Sequence, residues 1–192
     1  MESIDIIFSI CLGIGLAAAV GFRVFLPLLV LSLAGYYGIV PLNENWIWAG
    51  SLTAVITLSV ATVVEIFGYY IPWFDNLLDT IAVPLAALAG TAVVMATVSD
   101  LSPVVTWALA IIAGGGTAAA IKGGSSALRL TSTATTGGIG NPLVATAETG
   151  TSSIMSLLSV FIAPLAFGLV LIILFVVFRF YKKLRKNDAK SP

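Results

Sequence analysis

The chain has 192 residues, 59% of them hydrophobic and only 9% charged, with a mean hydropathy of +1.08. Soluble domains run near 45–50% apolar and about 25% charged, so this composition excludes a soluble fold and indicates an integral membrane protein. Nine basic and nine acidic residues cancel, histidine is absent and cysteine occurs once, which removes imidazole relays, His-ligated metals, Ser-His-Asp chemistry and any internal disulfide.

The chain opens MESIDIIFSICLGIGLAAAVGF, with Glu2 and Asp5 where a cleavable signal peptide carries positive charge. It reads as a retained first span, Ile4–Phe22, in which Cys11 is a small packing residue. A hydrocarbon core about 30 Å thick takes roughly 20 apolar residues per helix. Further runs at Trp46–Tyr69, Thr80–Val98, Val104–Ile121 and Ser153–Tyr181 complete five helices, the last kinked at Pro164. Two stretches differ: Val24–Val40 is short with Pro27 near its start, and Gly124–Leu143 is too polar to face lipid. Irregular backbone at membrane depth survives only where protein or water satisfies it, so both read as broken or re-entrant helices lining the interior. The fold class is all-α, a polytopic membrane helix bundle of five to seven spans in a single integral membrane domain.

GLAAAVGFR (Gly15–Arg23) matches GTAAAIKGG (Gly116–Gly124) without a gap, and VATVVE ending at Glu65 echoes VATAE ending at Glu148. These matches suggest two structural repeats, residues 1–100 and 101–182, followed by a basic tail at 183–192. The short Pro-containing run followed by Asn-Glu-Asn reads as a hairpin. That leaves three full spans before the second repeat and makes the inverted arrangement of many transporters the expectation. Arg179, Lys182, Lys183, Arg185, Lys186 and Lys190 crowd the C-terminal end. The positive-inside rule makes that end cytoplasmic and the N-terminus external, with a prokaryotic inner membrane as the expected location.

Arg23, Glu65, Lys122, Arg129 and Glu148 lie within or at the ends of apolar segments, where a central charge costs about 2.5–3.5 kcal/mol and needs a partner. Arg23 and Lys122, at matching repeat positions, are expected to supply positive field, and Glu65 and Glu148 to balance it and bind protons or cations; snorkelling or structural ion pairing is the plainer alternative. Asp75 and Asp79 stand four apart, on one face if helical; Asp75 is a further candidate for ion coupling, and either serves equally as a helix cap. Tyr69, Tyr70 and Trp73 read as interfacial anchors. GIGLAA at Gly13 is helix packing, IKGGSS is no P-loop because Gly123 follows Lys122, and Gly114–Gly116 marks a close approach by a helix or a bound molecule.

EIFGYYIPWFD (Glu65–Asp75) and KGGSSALRLTSTATTGGIGNPLVATAE (Lys122–Glu148) resemble the membrane family catalogued as domain of unknown function 4126, over most of the chain. Many members have Asp-Lys where Tyr69 and Tyr70 stand here, and His where Ala119 stands. The resemblance implies a shared polar core containing Glu65, Asp75, Lys122 and Glu148, and no activity.

In TSTATTGGIGNP the hydroxyls of Ser132, Thr133 and Thr136 donate and accept, Gly137 and Gly138 permit left-handed backbone, and Asn141 precedes Pro142 at a helix restart. With Lys122 and Arg129 alongside, such a break makes an anion-attracting nest. The expected function is a small transporter or flippase for an anionic solute or lipid head group, coupled to protons or cations. A channel for water, a small solute or an ion is one alternative, and a structural or assembly protein another. An enzyme, a metal, a cofactor or a nucleic-acid partner is not expected. Membrane lipids are expected partners, and a homodimer is a further expectation, which small-residue faces such as Gly13–Gly15 would support.

Overall fold

A computed structural model describes the backbone of residues 3–99 and 101–188, with the side chains of residues 3, 72–77, 180, 181 and 183–188 left outside the description. Eight helices and no strand occur among the described residues: α1 (Ser3–Phe22), α2 (Phe25–Tyr36), α3 (Leu52–Gly68), α4 (Pro72–Thr97), α5 (Pro103–Leu109), α6 (Gly116–Thr136), α7 (Asn141–Phe161) and α8 (Ala163–Asp188). A 3-10 segment, Glu44–Gly50, precedes α3, and a π segment, Ala110–Gly115, joins α5 to α6 without a break.

Ile4–Phe22, Leu78–Thr97 and Pro103–Thr136 are each long and apolar enough to cross a membrane. The 3-10 segment and α3, bent by 62°, make a fourth if they count as one span, and Phe25–Tyr36 and Ala163–Arg179 are shorter apolar helices. The continuous α5–α6 rod of 34 residues is about 50 Å long at 1.5 Å per residue, well beyond the hydrocarbon thickness.

Helix α1 is the axis of the bundle, contacted by α4, α6, α7 and α8. Its Leu16, Ala17, Ala18, Ala19 and Val20 are fully buried all round. Alanine on successive faces lets several helices approach one another closely, as small residues do in membrane bundles. Gly13 faces Val94 and Thr97 of α4, and Gly15 faces Ser159 and Ala166. These glycines therefore sit inside the core, and the expected small-residue dimer face is not there. Gly114 and Gly115 press on Gly90, Ala87 and Thr91 of α4, where an added Cβ at Gly114 would lie 2.6 Å from the Gly90 carbonyl oxygen. That is the close helix approach expected of the triple glycine, and Gly116 faces open space.

Chain direction follows from the contacts. Asp5 and Ser9 of α1, Val40 after α2, Thr97 at the end of α4 and Val160 at the end of α7 line one cavity at one end of the bundle. At the other end Val24 and Phe25 meet Glu65, and Arg23 meets Ala145 and Thr149. Thus α2 runs back to the end where α1 began, α3 returns, and α4 comes back again. Ile121 and Ala118 lie against Gly21, while Val94, packed on Gly114, lies against Gly13. The matched stretches of α1 and α6 therefore run side by side in the same direction. In an inverted pair of repeats the two stretches would run oppositely.

Two further expectations change. The run Ser153–Tyr181 is two helices: α7 ends at Ile162 (φ −140°, ψ 60°), and α8 doubles back so that Ala166 lies near Gly15 while Val177 lies near Gly124. Pro164 stands in the first turn of α8, where its missing N–H is harmless. Most of Gly124–Leu143 is continuous helix: α6 runs through it to Thr136 and ends on Gly137 in the left-handed conformation (φ 63°), and α7 begins at Asn141. Its hydroxyls bond back to their own helix, Thr131 to Ala127 O, Thr135 to Thr131 O and Thr136 to Ser132 O.

Candidate functional site

The only sharp interruption in the first hairpin is at Arg23. Its own N–H still bonds Ala19 O at 3.1 Å, but the next two amides leave the helical ladder. The Glu65 carboxylate, one turn from the end of α3, accepts from Val24 N–H at 2.7 Å and Phe25 N–H at 2.9 Å. A carboxylate at a helix N-terminus satisfies orphan donors and complements the positive end of the helix dipole. Glu65 is thus the cap of α2, supplied from a different helix.

Around this break lie the three cations expected of the polar core. Arg23 and Lys122 are 0% exposed and Arg129 2%. Arg23 Nη2 donates to Ala145 O at 2.8 Å and Nε to Thr149 Oγ1 at 3.0 Å, with Nη2 3.7 Å from Glu148 Oε2. Arg129 holds Glu148 in a two-pronged pair, through Nε to Oε1 at 3.1 Å and through Nη2 to Oε2. Ser125 donates to the same Oε1. Lys122 Nζ donates to Phe22 O, the last carbonyl of α1, at 3.4 Å. Bidentate Arg–carboxylate geometry gives both strength and orientation, and burial of so many charges is tolerable only because each has an opposite charge or a dipole close by.

Tyr69 sits at the centre. Arg23 Cζ and Arg129 Cζ each lie 4.2 Å from its ring centroid and Lys122 Nζ 5.0 Å. The negative face of an aromatic ring attracts cations, so one ring gathers three like charges that otherwise repel. Sequence reasoning placed Tyr69 at the membrane interface, whereas it is 3% exposed. The signal that identifies it is spacing: Tyr69 follows Glu65 by four and shares its helical face. By the same rule Lys122, Ser125 and Arg129 share one face of α6, and Ala145, Glu148, Thr149 and Ser152 one face of α7; Ser125 and Thr149 are the members that sequence reasoning missed. Tyr70 Oη pairs with Thr146 Oγ1 at 2.8 Å, tying the α3–α4 connection to α7 beside the cluster. Asp79 is electrostatically coupled to Lys122 and Tyr69. The side chain of Asp75 lies outside the described residues.

The structure therefore brings Arg23, Glu65, Lys122, Arg129 and Glu148 together and leaves the expected residues of the α6–α7 tip apart from them. Thr133 and Thr136 are exposed, and Ser132, Gly137, Gly138 and Asn141 lie with them at the tip of the α6–α7 hairpin. There Asn141 Nδ2 donates to Thr133 Oγ1 at 3.1 Å and Gly140 N–H to Thr136 Oγ1 at 3.0 Å. These bonds tie the tip to itself, apart from the buried cations, so the expected nest and the cation cluster are not one site. Among the described residues no group of His, Cys, Asp and Glu is placed to hold a metal.

Beside the cluster, an apolar crevice of about 380 Å³ lies between α6, α7 and α8, with Ser125 and Glu148 among its lining residues. A second, about 520 Å³, lies at the opposite end between α2, α3 and α4 beside Trp46 and Trp48.

Fold and site define an all-helical bundle of membrane-spanning character organised around a buried ion cluster. The chain belongs to the family described as Domain of unknown function (DUF4126), which it matches over residues 10–183, in agreement with the two motifs. Comparison with curated proteins and with solved structures gives no match.

Proposed function

We propose that this protein is a small membrane transporter that carries an anionic group, a solute or a lipid head group, through the Arg23–Lys122–Arg129 cluster. The observation that carries this reading is spare donor capacity on buried cations. Arg23 Nη1 has no acceptor among the described residues, and among those residues the hydrogen bond of Lys122 is the 3.4 Å contact with Phe22 O, beside the Tyr69 ring, so its three-donor ammonium has capacity for a further acceptor. Buried donors ordinarily find partners, and an anion with several oxygens completes both.

Glu148 is then the internal counterion that stands in the place of the transported anion. While ionised it occupies Arg129 and approaches Arg23; protonated, it releases both guanidinium groups to an incoming anion. Proton and anion thereby move together. Glu65, with both oxygens committed to α2, has an architectural task, and coupling rests on Glu148. The basic end of α8 lies on the cluster side of the bundle, so the positive-inside rule puts the cluster toward the cytoplasm and the start of α1 outside. The hairpins α1–α2 and α6–α7 run in the same sense, each with cations near the same end, which supports a parallel relation between the halves.

The test is flux in proteoliposomes, with phosphate, small carboxylates and a labelled anionic lipid as substrates, for wild type, Lys122→Ala and Glu148→Gln. Lys122→Ala is expected to lose at least about tenfold in flux, the worth of one charged hydrogen bond. Glu148→Gln is expected to keep flux but lose its acceleration by an inward proton gradient. Unchanged flux and unchanged proton dependence in both variants, for every substrate the wild type carries, refutes the assignment. That result would favour a purely structural ion network, a reading that the complete capping of α2 by Glu65 also suits.

A further inference from the structure

The crevice between α6, α7 and α8 extends the transport reading, on which this inference rests, to the kind of molecule carried. Its walls are apolar, formed by residues such as Phe22, Leu128, Val144 and Val176, and its polar members are Ser125, Glu148 and Thr151. The volume of about 380 Å³ falls within the roughly 300–1,000 Å³ of small-molecule pockets. Leu128, Ile172 and Val176 are more than half exposed, so the rim of the mouth is apolar and suits hydrocarbon better than water. Gly124 faces Val177 across the crevice, where an added Cβ would meet it at 3.4 Å, an ordinary van der Waals contact.

The polar end is not generic. Glu148 and Ser125 are bonded to each other, and behind them stand Arg129, paired with Glu148, and Arg23, 3.7 Å from it. A free hydrated anion entering here would shed its water against an apolar wall before reaching any donor, which is unfavourable. A hydrocarbon chain alone would leave the polar end without a match. The combination fits a molecule with both parts.

We infer that the α6–α7–α8 crevice is the binding site for the hydrocarbon chain of a long-chain anionic amphiphile from the membrane, whose head group replaces Glu148 on Arg129 and Arg23. The molecule enters laterally, chain along the crevice, and the head is drawn inward as Glu148 yields.

The experiment uses the full chain in nanodiscs with a diazirine-bearing palmitic acid as probe, followed by peptide mapping of the label. Labelling is expected to concentrate in residues 121–128, 144–151 and 172–177. Palmitic acid should compete at least about tenfold better than hexadecanol, as expected when a charged hydrogen bond distinguishes the two. Ala147→Trp and Val144→Trp, both filling the crevice without touching the cations, should each suppress labelling while retaining the wild-type elution profile. Label spread evenly over the lipid-facing surface, equal competition by hexadecanol, or full labelling of both well-folded tryptophan variants overturns the inference.

Flux on the same proteins separates the two levels of the argument. Phosphate flux that depends on Lys122 but ignores both tryptophan substitutions keeps the transport reading and overturns the lateral-chain inference. Crevice labelling with acid preference, but no flux of any substrate, keeps the binding site and overturns transport.

Discussion

The break at Arg23 exists because Glu65 receives two amides that would otherwise be orphaned in a buried interior, and this can be tested by removing or neutralising the carboxylate. In Glu65→Ala, Val24 N–H and Phe25 N–H both lose their acceptor. A buried donor left unsatisfied costs about 1–3 kcal/mol, so the two together cost about 2–6 kcal/mol, a large share of the roughly 5–15 kcal/mol that holds a domain folded. Glu65→Gln keeps one acceptor oxygen and turns an NH2 toward the other amide, so it should lose roughly half as much, about 1–3 kcal/mol. The measurement is unfolding by SDS titration in mixed micelles, followed by the fluorescence of the four tryptophans. The expected order is wild type, then Gln, then Ala. Wild-type stability in Glu65→Ala, or a Gln variant as weak as Ala, would refute the capping argument, because it would mean that the amides find other partners or that only the charge matters.

The same titration should show Gly114→Ala destabilised by about 1–3 kcal/mol through overpacking against Gly90. Gly116→Ala, facing open space, should be neutral or gain up to about 1 kcal/mol from helix propensity. Tyr69→Leu should cost more than Tyr69→Phe by about 2 kcal/mol or more, since leucine removes a ring shared by three cations, each contact being worth roughly 0.5–2 kcal/mol; equal stability of the two variants would contradict this. Thr133→Ala and Asn141→Asp lie at the hairpin tip, away from the cluster, and should leave proteoliposome flux within about twofold of wild type, less than the effect of one hydrogen bond to a charged group. A tenfold loss there would return the hairpin tip to the site.

What the sequence determined by itself was the solvent and the charges. Hydropathy alone requires burial in lipid or in other helices, and Arg23, Glu65, Lys122, Arg129 and Glu148, each within or at the edge of an apolar run, needed a partner or an interface because each is costly alone; that they meet in one cluster is the structure's contribution. The glycines of GIGLAA at Gly13 and of Gly114–Gly116 likewise announced close helix approach. Direction, breaks and partners were decided only in three dimensions. A polar stretch such as Thr131–Thr136 reads the same whether it belongs to a broken helix or to a continuous one, and only the structure shows that α6 runs unbroken through it. The return of α2 to its starting end depends on Glu65 reaching across from α3, a contact 40 residues away in the chain. Tyr69 carries no charge to mark it as buried, and only the convergence of α1, α3 and α6 turns an apparent interfacial tyrosine into the ring on which the cluster is assembled.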